Sequence, residues 1–381
     1  MKIVIAPDSY KESLSAIDVA KAIEKGFREI FPDAHYVSVP VADGGEGTVD
    51  AMISATQGVK AVATVTGPLG EPVTASWGMS GDGKTAFIEM AEASGLALVP
   101  VEKRNPLVTT SYGTGELILR ALDNGVRNII IGIGGSSTND GGAGMVQALG
   151  AKLTDATGKD VSPGGGSLLS LSNIDISGLD KRLQSCVINV ACDVTNPLTG
   201  DNGASRIFGP QKGADEATIV ELDRNLAHFA QAIKKHLRRD VENTPGAGAA
   251  GGMGAALMAF LGADLRSGVE IVTEALNLEE HIHNCSLVVT GEGRMDSQSI
   301  RGKVPVGVAA VAKRYRKPVI GIAGSLSCDV AVVHQHGIDA VFSVLNRVGT
   351  LDEALKNAFE NIYRASRDIA ATVAIGMKTT G

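Results

Sequence analysis

The sequence predicts an α/β protein: a doubly wound parallel sheet (Rossmann-like) domain built from both chain ends, with a second α/β domain containing antiparallel hairpins inserted in the middle. Three observations lead there. Strand and helix patterns alternate from residue 2 to residue 57. The same alternation returns from residue 286 to the end. Between them, residues 59–90 carry three strand patterns separated only by short Gly-Pro and Gly-Asp-Gly turns, which suit hairpins and not crossovers.

The elements follow in order. Residues 2–6 are a short apolar run closed by Pro7, as in a buried parallel strand. Ser15 and Asp18 form a capping-box-like start to a helix whose Ile17, Ala20, Ile23, Phe27 and Ile30 recur at helical spacing; Pro32 ends it. Residues 36–41 are a second strand and 49–57 a second helix. Strands are then expected at 59–66, 73–79 and 84–90, and helix and strand alternate through 114–122, 128–133, 141–149 and 187–193. Two longer helices are expected near 216–237 and 251–261. The closing part gives strands at 286–290, 319–323 and 340–344, and helices at 304–315 and 330–336. A last helix opens on the Thr350/Glu353 capping box and should bury Leu351, Leu355, Ala358, Ile362 and Ile369. The domains are accordingly 1–66 plus 284–381, and 67–283.

Composition narrows the function. With 381 residues, 44% hydrophobic and 20% charged, the chain can build a sizeable core, and at 4% aromatic that core is aliphatic. A net charge of −7 offers no basic footprint for nucleic acid. No apolar run reaches the ~18 residues that span a bilayer, and the N-terminus lacks a signal-peptide core, so a cytoplasmic protein is expected. The four cysteines lack close pairing and read as reduced thiols. The His281/His283 and His334/His336 pairs have the spacing of a strand face and not of a helical metal site.

Two strings mislead. Gly78 to Gly83-Lys84-Thr85 spells a Walker A motif, but Asp82-Gly83 reads as a hairpin turn with a strand after it. Gly246, Gly248 and Gly251 spell a dinucleotide fingerprint, yet no strand precedes them.

Five other clusters sit at strand ends, where ligands bind in open α/β sheets. Asp8-Ser9-Tyr10-Lys11 offers Asp8 as a base or metal ligand and Lys11 as an anion contact, or a plain turn capping the next helix. Asp43 and Glu46, among three glycines, suit Mg²⁺, an ion that takes oxygen ligands. Residues 132–142, containing Gly134, Gly135, Ser136, Ser137, Asn139 and Asp140, combine a curling backbone, hydroxyls and a helix start; they suit a phosphate cradle, with Asn139 and Asp140 alternatively serving as caps. Asp193, beside Thr195 and Asn196, is a metal ligand or base, while Arg206 and Lys212 are placed to neutralise phosphate charge or to lie on the surface. Glu292, Arg294 and Asp296, with Lys303 following, alternate acid and base beside glycines; an arginine suits bidentate carboxylate recognition.

Taken together, the segments Ala6–Lys11, Ala42–Thr48, Ile133–Gly142, Cys192–Val194, Gly209–Ala214 and Thr290–Gly293 resemble the bacterial glycerate kinases of the type 1 class. The resemblance runs in order along essentially the whole chain. It implies ATP and Mg²⁺ as co-substrates, D-glycerate as acceptor, 2-phosphoglycerate as product with transfer to the 3-hydroxyl (3-phosphoglycerate) as the alternative, and a place in glucarate, galactarate or glyoxylate breakdown. On that footing the expected roles are these. Gly134, Gly135, Ser136, Ser137, Asn139 and Lys212 hold the ATP phosphates, and Asp193, with Asp43 or Glu46, binds Mg²⁺. Arg294 and Lys11 clamp the glycerate carboxylate, and Asp8 or Asp296 takes the hydroxyl proton. Partners beyond the small substrate are not expected, and homo-oligomerisation is left open. A nicotinamide-dependent hydroxy-acid oxidoreductase is the rival enzyme class, and a non-catalytic hydroxy-acid sensor the rival outside enzymes.

Overall fold

A computed structural model describes residues 1–42, 44, 45, 47–300 and 302–379. The chain forms two compact units, residues 1–43 with 268–381, and residues 44–267. Each is an α/β unit with its own sheet.

The first unit holds a five-stranded, wholly parallel sheet. From one edge its strands are His35–Ser38, Lys2–Ile5, Leu287–Met295, Val319–Leu326 and Ala340–Ser343. The winding direction reverses between Lys2–Ile5 and Leu287–Met295, and in such sheets the crevice at that reversal is the ligand site. Ile3, Val4 and Ile5 are fully buried, as a strand covered on both faces requires.

Helix Ala16–Ile30 starts where Ser15 Oγ accepts the Asp18 amide, 3.2 Å away, and it stops at Phe31, just before Pro32. It packs along helix Ala358–Thr379, where a Cβ on Gly26 would come within 2.5 Å of the Tyr363 carbonyl oxygen. Only glycine lets the two backbones approach so closely. Ile5, Ile23, Phe27, Val289, Ile322 and Ile362 fill the core beneath.

The expected final helix is two helices. Leu351–Lys356 opens on the Thr350/Glu353 capping box, and Ala358–Thr379 follows a break at Asn357. The Asn357 side-chain amide donates to the Glu353 carbonyl at 2.8 Å, a local bond that competes with continued helix. The break turns Leu351 outward, 71% exposed, and leaves Leu355 half-buried; Ala358, Ile362 and Ile369 are buried as expected.

The second unit holds a six-stranded mixed sheet, ordered Asp264–Arg266, Val187–Ala191, Asn128–Gly132, Thr85–Glu89, Pro72–Met79 and Val59–Thr66. The last three form the two antiparallel hairpins, and the others pair in parallel. Val59–Thr66 pairs with Pro72–Met79 along its whole length, which ties residues 59–66 to this unit. At the other end, helices Gly268–Ala275 and Leu278–His283 group with the first unit. The divisions therefore fall at 43/44 and 267/268, where the sequence placed them at 66/67 and 283/284.

The Walker-like string is the turn between two antiparallel strands; Asp82 Oδ1 accepts from Ser80 Oγ at 2.6 Å and from the Lys84 amide at 3.0 Å. The Gly246–Gly251 string leads into helix Ala249–Leu261 and supports the loop that follows Asn128–Gly132. Gly251, at φ +66°, would place a Cβ 2.0 Å from the Thr138 carbonyl oxygen. His281 and His283 lie on the short helix Leu278–His283, not on a strand.

Candidate active site

In the first unit, Lys2–Ile5 delivers Asp8 to the reversal point of the sheet. The neighbouring strand is longer than the sequence suggested, Leu287–Met295 against an expected 286–290, and so carries Glu292 and Arg294 forward on rigid backbone. The Asp8 amide donates to the Gly291 carbonyl at 2.8 Å, setting Asp8 beside the Glu292 position. Both carboxylates are buried, at 8% and 5% exposure.

Their partners differ. Asp8 Oδ1 accepts from the Ser9 amide at 2.6 Å and from Ser9 Oγ at 3.3 Å. Glu292 Oε1 accepts from Ser299 Oγ at 2.5 Å, and Oε2 faces the Lys303 ammonium at 3.3 Å. Burial pushes the Glu292 carboxyl above its ordinary range, while Ser299 and Lys303 pull it back. Tyr10 donates its hydroxyl to the Ile322 carbonyl at 2.9 Å; burial, then the Glu292 charge, push its pKa well above normal.

These groups border a cleft of about 600 Å³ that also takes in Lys11, Arg294, Gly324, Leu345 and Leu355. Lys11 and Arg294 are exposed, so the cleft joins two exposed cations, the Glu292-paired Lys303 and two buried acids. That set can bind a small carboxylate and hold a base beside it. Asp296 stands differently. It accepts from the Gln298 amide at 2.8 Å, its own amide donates to Ser299 Oγ at 3.1 Å, and it lies 3.4 Å from Arg294 Nε. It shapes the turn that presents Ser299 and is not among the residues bordering the cleft. Glu292 is the group that sequence reasoning grouped but gave no role. Its signal was an acid between two glycines at a strand end.

In the second unit, residues 133–142 follow strand Asn128–Gly132 as expected, but most of the loop faces inward. Gly134 and Gly135 are exposed, and every residue from Ser136 to Gly142 is buried. Ser137 gives its amide and hydroxyl to the Ser94 carbonyl, at 3.0 and 2.9 Å. Asn139 Nδ2 donates to Ser205 Oγ at 2.9 Å. The Asp140 carboxylate accepts from the Ser111 amide and hydroxyl at 2.9 and 2.8 Å, and from the Gly142 and Gly144 amides at 3.0 and 3.2 Å. The start of helix Ala143–Ala148 is therefore occupied by the protein's own carboxylate, and the expected cradle of free amides at that helix start is not present. Ser137 and Asn139 serve the loop's internal bonding, and Gly134–Gly135 is its outward tip.

Lys212 does reach this loop, from beneath. It is 1% exposed, and its Nζ donates to Ser136 Oγ at 2.7 Å and to the Thr138 carbonyl at 2.6 Å. Burial lowers its pKa to about 7, and the Asp140 charge opposes that fall. Arg206 is a surface group bonded to Glu216 at 2.5 Å.

Asp193 lies two residues beyond strand Val187–Ala191 and is exposed, with exposed Thr195 nearby in sequence. Asp43 and Glu46 lie outside the described residues. Among the described residues no three His, Cys, Asp or Glu side chains gather as a metal cluster. Mg²⁺ commonly takes one or two carboxylates and completes its shell with waters and substrate phosphates, so a single exposed strand-end carboxylate fits that habit. Among the described residues no helix is long and apolar enough to cross a membrane.

A family model described as the glycerate kinase family matches residues 3–374. The chain is 78% identical over 381 residues to glycerate 2-kinase of Escherichia coli (strain K12), covering 100% of both chains. It is 57% identical over 373 residues to a glycerate kinase of Bacillus subtilis (strain 168), covering 98% of each. A crystal structure assigned as glycerate kinase 2 from Salmonella typhimurium LT2 superposes with a TM-score of 0.92 at 63% identity, over 99% of each chain.

Proposed function

The chain belongs to the glycerate kinase family, and from that premise we propose that it transfers the γ-phosphoryl group of ATP to the 2-hydroxyl of D-glycerate, giving 2-phosphoglycerate and ADP. It is an ATP-dependent kinase with a small hydroxy acid as acceptor. The observation that carries the acceptor half is the cleft at the sheet reversal, where Asp8 and Glu292 lie beside Lys11, Arg294 and Lys303.

Phosphoryl transfer asks a protein for position and charge neutralisation more than for covalent chemistry. Arg294 and Lys11 grip the glycerate carboxylate; the planar guanidinium offers two parallel donors and fixes the orientation of the acid. Asp8 accepts the proton of the attacking hydroxyl. It lies three residues beyond strand Lys2–Ile5, tied to the neighbouring strand through its amide and the Gly291 carbonyl, and its Ser9 bonds orient the carboxylate. Glu292 holds Lys303 and Ser299 in place and adds negative potential beside the base. Asp296 supports the turn behind them.

On the nucleotide side, the exposed backbone at Gly134–Gly135 meets the phosphates, while Ser137, Asn139 and Asp140 keep the loop in shape. A Mg²⁺ ion, when bound, would supply neutralisation of phosphate charge, and Asp193 would hold it. If Asp193→Asn keeps near-normal kcat at saturating Mg²⁺, that assignment fails. The same reading puts the enzyme in the cytoplasm, in breakdown of glucarate, galactarate or glyoxylate.

The deciding experiment is phosphorus NMR of the product formed from ATP and D-glycerate. A 2-phosphoglycerate resonance supports the reading. A 3-phosphoglycerate resonance overturns the regiochemistry, and absence of any phosphoglycerate overturns the reaction.

A further inference from the structure

We propose that Lys212 is a positioning residue that fixes the polarity of the Ser136 hydroxyl, so that Ser136 donates its proton to a nucleotide phosphoryl oxygen held at the Gly134–Gly135 tip. The proposal rests on the kinase reading above and deepens it by assigning a donor at the loop and the group that orients it.

The geometry is specific. Lys212 ends the short 3-10 turn Pro210–Lys212, and Gly213 follows at φ +93°. Its side chain runs wholly inside the unit, and its ammonium meets Ser136 Oγ and the Thr138 carbonyl at 2.7 and 2.6 Å. An ammonium has donors only. Ser136 Oγ must therefore accept from Lys212, and its single O–H proton must point elsewhere. Ser136 is itself 6% exposed and adjoins the exposed Gly134–Gly135 tip. A hydroxyl held as acceptor on its inner side is polarised as a donor on its outer side, because bonds in such a chain strengthen one another.

A neutral residue could brace the Thr138 carbonyl equally well. A buried lysine is costly to keep charged, so its presence calls for a use of the charge. Asp140, in the same loop, favours the ammonium form against burial. Other charged side chains belong to nearby segments, and Asp215 among them caps helix Glu216–Leu237 by accepting the Thr218 amide. Arg104 donates to the Gln211 carbonyl at 3.2 Å, and Arg206 is taken up by Glu216. When Lys212 loses its proton, the amine becomes an acceptor, and the Ser136 hydroxyl is free to turn inward toward it.

The test is a double-mutant cycle in the full-length enzyme with Ser136→Ala and Lys212→Met. Each single variant is expected to raise the ATP KM and the ADP dissociation constant by about tenfold, the worth of one hydrogen bond to a charged group. The glycerate KM should stay within about twofold. In the Ser136→Ala background, Lys212→Met should weaken ADP binding by less than about twofold, because its partner is already gone. If Ser136→Ala leaves ATP and ADP affinity unchanged, or if the two effects multiply, the proposal is overturned.

Should Lys212→Met not fold, the pH profile of ADP affinity decides. The parent should lose affinity as pH rises through about 7, and Ser136→Ala should show no such loss. Equal profiles overturn the proposal. ADP binding is measured by calorimetry without glycerate, so a failure of the acceptor assignment is seen separately from a failure here.

Discussion

The Lys303 ammonium stands 3.3 Å from Oε2 of Glu292, while Ser299 Oγ donates to Oε1 of the same carboxylate at 2.5 Å. Both partners come from the segment just after the strand that carries Glu292, so Ser299 and Lys303 return to the end of that strand. Lys303→Met removes the cation that answers the buried Glu292 carboxylate. A loss of about 1–3 kcal/mol in unfolding free energy is expected, the usual cost of leaving a buried charged group without one of its partners. Because this pair borders the cleft, kcat should fall as well. Unchanged stability by urea titration would show that the pair contributes nothing.

Arg294→Ala should separate the two substrates. If the guanidinium grips the acceptor's carboxylate, the glycerate KM rises by about tenfold or more while the ATP KM stays put. Parallel increases in both constants would contradict the clamp.

Stability should also depend on pH through Glu292. Burial, the largest influence, holds its carboxyl above the ordinary 4.5. From 4.5 up to that raised value the folded chain keeps a proton that the unfolded chain has lost, so stability falls as pH rises across the interval. Glu292→Gln cannot titrate. The stability gap between parent and variant should therefore shift in the variant's favour as pH climbs through the interval. Urea midpoints taken at successive pH values would show it, and a gap that does not change with pH would refute it.

Gly251→Ala tests the support beneath the loop. The new methyl would meet the Thr138 carbonyl at 2.0 Å, at a backbone φ of +66° that alanine resists. Strain of about 1–3 kcal/mol is expected from the backbone conformation alone, with more from the clash. Thermal unfolding of the purified variant gives the answer, and a melting temperature equal to the parent's would mean the contact relaxes freely.

Much of the fold was legible because its signals are local. Helix Glu216–Leu237 lies where the periodicity places it, and Ser15 and the Thr350/Glu353 box mark helix starts. What was not legible depends on distant partners. Residues 59–66 look like a continuation of the opening unit until their pairing with 72–79 is seen. The apolar pattern across residues 351–369 reads as one helix because nothing in it reports the Asn357 break. At the site, Gly, Ser and Asn in residues 134–142 have the composition of a ligand loop. Only tertiary structure shows that Asp140 is committed to Ser111 and that Lys212 comes up from below. The reversal-point cluster was visible piece by piece, since Asp8, Lys11 and Arg294 each sit at a strand end. The burial of Glu292 was not, because it follows from a strand longer than its apolar run.

Ile3 pairs with Leu287, so strand Lys2–Ile5 gains its second neighbour only from residues made late. On the ribosome, where chains emerge from the N-terminus, the continuous stretch 44–267 has all its own strands available first. Until residues 287–295 emerge, strand Lys2–Ile5 has an unfilled edge open to other nascent chains. Production of this enzyme should thus be most vulnerable to premature termination and to shortage of chaperones in the interval before its last third is synthesised.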